Sequence, residues 1–375
     1  MRLFSSFCLW LLIGLSVSAA EPNVSSALQP FVDSGSLAGA VTVVANKDKV
    51  LSLETVGFMD VGAKQAMKPD SVFWIASMSK PITGTALMLL VDEGKVKLND
   101  PIDKYLPEFK ELKVASANGA ELKKPSRLVT VRDVMSHTSG MPLKSATETP
   151  TLDGLPLKAA VLSYAATPLT HEPGSKYQYS NAGINTGARI IEVVSGMSYE
   201  DFMDQRLFKP LGMKDTTFWP NEEQVSRLAK PYKPNADKTK LEETTISQLT
   251  YPLSKRDNRY PMPAGRLFST GADVATFCRM LLNGGELNGK RYLSAEALKT
   301  MASKQTGDAV TNGYGIGWAT DGKTFGHGGA LATNMTIDPQ RGLITVFLVQ
   351  HAGFPGDGGK SHGAFVKAAN DTFGK

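Results

Sequence analysis

A serine three residues ahead of a lysine, Ser77-Met78-Ser79-Lys80, is the pair whose types and spacing best suit nucleophilic chemistry. A serine hydroxyl is inert near neutral pH and needs a base within hydrogen-bond reach. Residues three apart on a helix share a face, with Cβ atoms about 5–6 Å apart. The Lys80 amine therefore reaches the Ser77 oxygen and, if partly buried, gives up its proton more readily. Pro81 is tolerated only in the first turn of a helix, which places Ser77 at or next to a helix N-terminus, where free N–H groups favour an oxyanion. A second polar stretch, residues 174–183, reads as a turn with Tyr179 two residues before Asn181. A phenol relays a proton when neighbouring cations lower its pKa, and Asn181 can orient the lysine and donate to a substrate carbonyl. The third stretch, Phe325-Gly326-His327-Gly328-Gly329-Ala330, stands on the brink of a strand, and its glycines let a ligand approach the backbone closely. An Ala330 N–H beside the Ser77 N–H would complete an oxyanion hole.

These stretches need a scaffold. Residues 82–91 are apolar almost all round, the mark of a buried central helix, and Gly94 suits its C-terminus. Residues 25–32 suit a short amphipathic helix, and residues 40–45 and 50–56 around Asn46-Lys47-Asp48 suit a β-hairpin. Helices are expected at 131–136, at 187–194 closed by Gly196, and at 199–208 with Ser198 and Asp201 as a capping box. Residues 225–258 are polar and lysine-rich, with scattered apolar positions that favour a solvated surface loop over a rim of the substrate cleft. Beyond them, helices at 272–282 and 294–302 lead to strands at 316–320, 331–337 and 343–350 and a closing helix at 363–373. The run from Leu343 to Val349 is apolar on both faces and so central in a sheet. One sheet is then built from both ends of the chain, with a mostly helical middle and a cleft between the two, where sites tend to lie. The expected division is a sheet lobe from 21–76 and 265–375 and a helical lobe from 77–264.

Of the 375 residues, 42% are hydrophobic and 21% charged, an ordinary globular balance. The net charge of +5 is spread without a basic block, so nothing asks for nucleic acid. A basic start, an apolar run from Phe7 to Val17 and Ser18-Ala19-Ala20 read as a signal peptide over residues 1–20. The run is short for a membrane span. The expectation is an exported protein, periplasmic or secreted, with no stable membrane anchor after cleavage. Cys8 falls inside the signal, which leaves Cys278 as a single thiol and allows no intrachain disulfide. The five histidines show no metal-binding pairing. Gly359-Lys360-Ser361-His362-Gly363 matches a nucleophile elbow in letters, but no strand runs directly into it and no histidine follows His362.

Together the three motifs resemble the penicillin-recognising serine hydrolases, in the branch of class C β-lactamases, DD-peptidases, D-aminopeptidases and β-lactamase-like esterases. S-x-x-K stands at Ser77 to Lys80, Y-x-N at Tyr179 to Asn181 and the third box at His327-Gly328-Gly329, in family order. Further family-like phrases are Met135-Ser136-His137-Thr138-Ser139-Gly140-Met141 and Gly265-Arg266-Leu267-Phe268-Ser269-Thr270. The resemblance implies an antiparallel sheet flanked by helices, with a helical second lobe and the active site between them. It implies Ser77 as nucleophile, Lys80 as its base partner, Tyr179 as general acid and base, Asn181 as an orienting amide, and an oxyanion hole from the Ser77 and Ala330 N–H groups. No cofactor is required. The family's third box usually opens with lysine and threonine, and His327 and Gly328 replace them here. That departure counts against a β-lactam carboxylate and favours a small ester or a D-amino-acid peptide as substrate. A class C-type β-lactamase is the alternative, and a non-catalytic cell-wall or ligand-binding protein on the same scaffold is a further one.

Overall fold

The computed structural model describes residues 23–116, 119 and 121–374; the expected signal peptide lies outside the described residues. Its centre is a seven-stranded antiparallel sheet. Three strands come from the start of the chain, β1 (Gly39–Ala45), β2 (Val50–Asp60) and β3 (Gln65–Ala66). Four come from the end, β4 (Ala319–Thr320), β5 (Phe325–Gly328), β6 (Asn334–Asp338) and β7 (Leu343–Leu348). They lie in the order β4-β5-β6-β7-β1-β2-β3, so β1 and β7 join the two ends of the chain, with Val43 opposite Val346.

Every residue of β1 and β7 is buried, because both faces of the sheet are covered. On one face Val41, Val43, Ile344, Val346 and Leu348 join the main core. On the other, Val44, Leu343 and Phe347 join a smaller core completed by Phe365 of the closing helix.

The middle of the chain supplies the second layer. Helix α1 (Ser79–Asp92) is buried at every position from Ser79 to Leu90, and Gly94 beyond its end takes φ 72°. Helix α2 (Asn181–Ser195) packs against α1 and ends at Gly196 in the left-handed region. It begins six residues earlier than the apolar pattern suggests, because the Ser180 hydroxyl caps it through the Gly183 N–H. Helix α3 (Gly271–Leu282) lies against β1 and β7. No helix among the described residues is long and apolar enough to cross a membrane.

Three expectations need correction. Residues 225–258 are more than a solvated loop: Tyr232–Pro234 pairs with Leu241–Glu243, and Ile246, Leu249 and Leu253 are buried in the main core. Polar composition hid them, since three apolar anchors suffice to dock an otherwise polar segment. The third motif lies within a strand rather than just before the one expected at 331–337, which runs instead from Asn334 to Asp338. Residues 325–328 form β5, and the turn falls at 329–333. The expected strand at 316–320 shrinks to two residues.

Candidate active site

The site forms where the start of α1, the start of α2 and β5 meet. Ser77 sits in a 3-10 turn, Ala76–Met78, that runs straight into α1. The preceding residue, Ala76, holds φ 47°. A non-glycine residue in that left-handed region costs about 1–3 kcal/mol and persists only where its surroundings enforce it. Here Ile75 N–H is tied to the Leu267 carbonyl at 3.0 Å on one side of Ala76, and the Ser79 hydroxyl to the Ala76 carbonyl at 2.7 Å on the other. Ala76 and Met78 are buried while Ser77 stays partly open to the cleft.

Lys80 is wholly buried. Its Nζ lies 3.1 Å from Ser77 Oγ, donates to the Ala264 carbonyl at 2.7 Å and stands 4.6 Å from the centre of the Tyr179 ring. Burial with no compensating carboxylate holds the amine well below lysine's ordinary pKa. Tyr179 is in hydrogen-bonding contact with Ser77, and its burial raises the phenol well above its ordinary value, outweighing the lowering from Ser77. This reverses the expectation of a phenol acidified by cations. Both shifts favour the uncharged forms, an amine beside a phenol.

Asn181 opens α2, with its N–H on the Leu143 carbonyl at 3.0 Å. Its side chain makes no hydrogen bond with Lys80, which is oriented by Ala264 instead. Asn181 Oδ1 is buried and has no partner among the described residues, which leaves an acceptor for an incoming group. From β5, His327 Nδ1 lies 2.6 Å from the Gly328 carbonyl and its Nε2 3.0 Å from the Tyr314 hydroxyl. A carbonyl only accepts, so Nδ1 carries the proton, and Nε2 faces the Tyr314 hydroxyl, whose single hydrogen is shared with the Gly317 carbonyl at 3.2 Å. His327 is only half-buried, but desolvation by the protein around it, with Lys80 adding to the effect, pushes its pKa down to about 3. Gly328 is exposed, and Gly329 lies so close to the Ser77 turn that an added Cβ would stand 2.6 Å from the Ile75 carbonyl oxygen. That contact brings Ala330 beside the turn, exposed and with its N–H unengaged among the described residues.

Sequence reasoning missed three contributors. Ala264 acts through its backbone, which no side-chain motif announces. Tyr314 is buried against His137 at 4.5 Å between rings, and it is delivered by Gly-Tyr-Gly-Ile-Gly-Trp over 313–318, whose alternating glycines were the available signal. His137, noted only within a family-like phrase, grips Tyr179 from both sides. Its carbonyl accepts the Gln178 N–H at 2.8 Å, its Nδ1 accepts the Ser180 N–H at 3.1 Å, and its ring packs 4.5 Å from the Tyr179 ring. Ser361, in the spurious elbow, is buried and donates to the Gly358 carbonyl at 2.7 Å at the start of the closing helix.

Comparison with known proteins agrees with this picture. A family model described as Beta-lactamase matches residues 24–367. The Mycobacterium tuberculosis protein Rv1367c is 30% identical over 87% of this chain and 89% of its own. Penicillin-binding protein 4 of Amycolatopsis lactamdurans is 31% identical over 78% of this chain and 75% of its own. Among solved structures, EstCE1, a hydrolase with promiscuous acyltransferase activity, superposes with a TM-score of 0.77 at 23% identity, over 92% of this chain and 97% of its own. Simvastatin synthase from Aspergillus terreus gives a TM-score of 0.75 at 20% identity, over 94% and 96%.

Proposed function

The chain belongs to the beta-lactamase family, and within it we propose an exported serine hydrolase that cleaves small uncharged esters through an acyl-enzyme on Ser77. The observation that carries this reading is the Lys80 amine, buried 3.1 Å from the Ser77 hydroxyl, where burial holds its pKa well below the ordinary value. Lys80 takes the Ser77 proton as the oxygen attacks the substrate carbonyl. The oxyanion that forms lies between the Ser77 and Ala330 N–H groups, where fixed dipoles act without reorganising. Tyr179, held as a phenol, gives its proton to the departing alkoxide and regains one from the Lys80 ammonium. Water then repeats the sequence in reverse on the acyl-enzyme, losing its proton to the same pair, and the acid leaves as Ser77 recovers its hydrogen.

The ester preference rests on β5. The third box presents no cation and no hydroxyl: His327 is neutral and Gly328 has no side chain. A substrate carboxylate finds no charge-assisted partner there, whereas an uncharged ester needs none. Asn181 Oδ1 and Nδ2 remain free to take polar groups beside the acyl carbon.

A fluorophosphonate probe and a substrate panel test the reading. Wild-type protein should label at Ser77 and cleave p-nitrophenyl butyrate far faster than a chromogenic cephalosporin, while Ser77→Ala should do neither and keep its thermal midpoint. Labelling at Ser361, or an unlabelled wild type, would point to a binding protein or a different nucleophile. Equal efficiency on the two substrates would sink the ester assignment.

A further inference from the structure

Behind Lys80, on the side away from Ser77, runs a line of buried polar side chains that none of the acyl-transfer steps touches. Ala264, whose carbonyl faces Lys80, is held through its own N–H by Asn185 Oδ1 at 3.0 Å. Asn185 Nδ2 donates both hydrogens, one to the Tyr164 hydroxyl and one to the Tyr260 hydroxyl, each at 3.0 Å. The two phenols donate in turn to Glu148 Oε1, at 2.6 and 3.0 Å, and Glu148 Oε2 accepts the Ser145 N–H at 2.8 Å. All four side chains are at most 1% exposed.

The directions in this line are forced. As a carboxylate Glu148 accepts all three donors at its two oxygens, bonds that oppose the burial which raises its pKa. Each phenol spends its single hydrogen on Glu148 and must accept from the Asn185 amide. With Nδ2 committed to the phenols, Asn185 can only turn Oδ1 toward Ala264.

Such a network is costly unless it positions something. Glu148 is a buried carboxylate with no ion-pair partner among the described residues; Lys144 bonds its backbone carbonyl at 3.1 Å and not its side chain. A buried charge of this kind is weak evidence for stability, and packed apolar side chains of similar volume often serve a fold as well. The neighbouring peptide groups are fixed by other means. Thr83 Oγ1 donates to the Pro263 carbonyl at 2.9 Å, Trp74 Nε1 to the Gly265 carbonyl at 2.7 Å, and the Leu267 N–H to Ser79 Oγ at 3.2 Å. Ala264 N–H is the anchor in this segment that comes from α2 rather than from the Ser77 side.

We propose that Glu148, Tyr164, Tyr260 and Asn185 form a positioning network that fixes the Ala264 carbonyl against Lys80 and so stabilises the ammonium formed when Lys80 takes the Ser77 proton. The inference rests on Lys80 acting as the base of Ser77. None of the four is a catalytic residue, since none touches Ser77 or the reacting atoms.

The test reads the acid limb of kcat/KM for p-nitrophenyl butyrate, which reports the free-enzyme base, with rates normalised to fluorophosphonate-titrated sites. The titratable groups facing Lys80 are Tyr179, His137 and His327. The phenol stays protonated, and both imidazoles are held well below their ordinary range. Asn185→Leu loosens Ala264 and weakens the ammonium's hydrogen bond, which favours the neutral amine. The limb should move about one pH unit to lower pH and the plateau should fall about tenfold, since one pKa unit and one decade of rate are the same free energy. KM should change by less than about twofold. Asn185→Asp keeps an acceptor for the Ala264 N–H but loses both donations to the phenols and adds a buried charge, so it should recover only part of the plateau. Should Asn185→Leu fail to fold, Tyr260→Phe removes a single hydroxyl from an otherwise intact packing and should give a smaller shift in the same direction. A wild type that labels and turns over, with variants that lose active sites or thermal midpoint but keep both limb and plateau, overturns the network's role alone. A wild type that neither labels nor hydrolyses overturns the base assignment and this inference with it.

Discussion

A histidine in the third box invites the expectation that carboxylate-bearing substrates gain in mild acid, as an imidazole near pKa 6.5 acquires its charge. The environment of His327 predicts the opposite. Its Nδ1 is committed to the Gly328 carbonyl, its Nε2 faces the Tyr314 hydroxyl at 3.0 Å, and desolvation with Lys80 nearby brings the pKa to about 3. At pH 5 the charged fraction is then about 1%, against roughly 97% for a ring at the reference value of about 6.5. A charge-assisted contact to a carboxylate is worth about 1.5–3 kcal/mol, or about one to two decades in kcat/KM. A ring titrating near 6.5 would therefore raise the ratio of cephalosporin to p-nitrophenyl butyrate efficiency about 10- to 100-fold between pH 8 and pH 5. With His327 as the structure holds it, the ratio should stay within about twofold over that range. Taking the ratio cancels the acid limb of the shared Lys80 and Ser77 machinery, so what remains reports the third box. A tenfold rise toward pH 5 would refute the neutral imidazole.

Lys80→Ala and Tyr179→Phe should each lower kcat by about 10² to 10⁴, the range for a lost acid–base group. Because both act on the one Ser77 proton, the double variant should lose far less than the product, and multiplicative losses in steady-state kinetics would show independent roles. His327→Lys with Gly328→Thr should shift the substrate ratio toward cephalosporin by about tenfold or more. A Cβ at 328 meets nothing closer than the Thr333 carbonyl at 3.6 Å, so an unchanged ratio could not be blamed on lack of room. Stability should fall in acid. Burial lowers His351 to about 4, so between pH 6.5 and 4 the unfolded chain takes a proton that the folded one refuses. By pH 4 that removes roughly 3 kcal/mol. Thermal midpoints measured from pH 7 to 4 should drop, and His351→Gln should flatten the slope; an unchanged slope counts against this cause.

What was legible in the sequence was local. The i, i+3 spacing of Ser77 and Lys80 needs only helix geometry, the doubly apolar run of β7 needs only two covered faces, and Gly196 announces the end of α2 by itself. What was not legible depends on partners far away in sequence. Three glycines in residues 325–329 mimic a turn, yet β5 is strand because β6 pairs with it, Gly326 opposite Thr336 and His327 opposite Met335. The polar run 225–258 hid its structure because Ile246, Leu249 and Leu253 are few, and their burial depends on a core built elsewhere. The protonation of Tyr179 was misread for the same reason: a cation next to a phenol lowers its pKa, but the phenol's own burial, set by distant parts of the chain, raises it more.

That last point links the base to the third box. In the proposed mechanism Lys80 can serve as base because burial disfavours its charged form, no carboxylate pairs with it, and the one strong acceptor that favours the ammonium is a neutral carbonyl. A second ammonium at position 327 would suppress the Lys80 charge further, easing deprotonation but penalising the ammonium that the reaction must form. A neutral imidazole avoids that conflict, and its hydrogen bond with Tyr314 ties β5 to the 313–318 segment. Gly317 of that segment lies directly against the Lys80 carbonyl, too close for a Cβ. His327 is thus connected, through Tyr314 and Gly317, to the backbone of Lys80, the proposed base. Exchanging His327 alone should therefore disturb ester turnover as well as substrate choice, and Gly328→Thr alone, which leaves those contacts in place, should disturb only the choice.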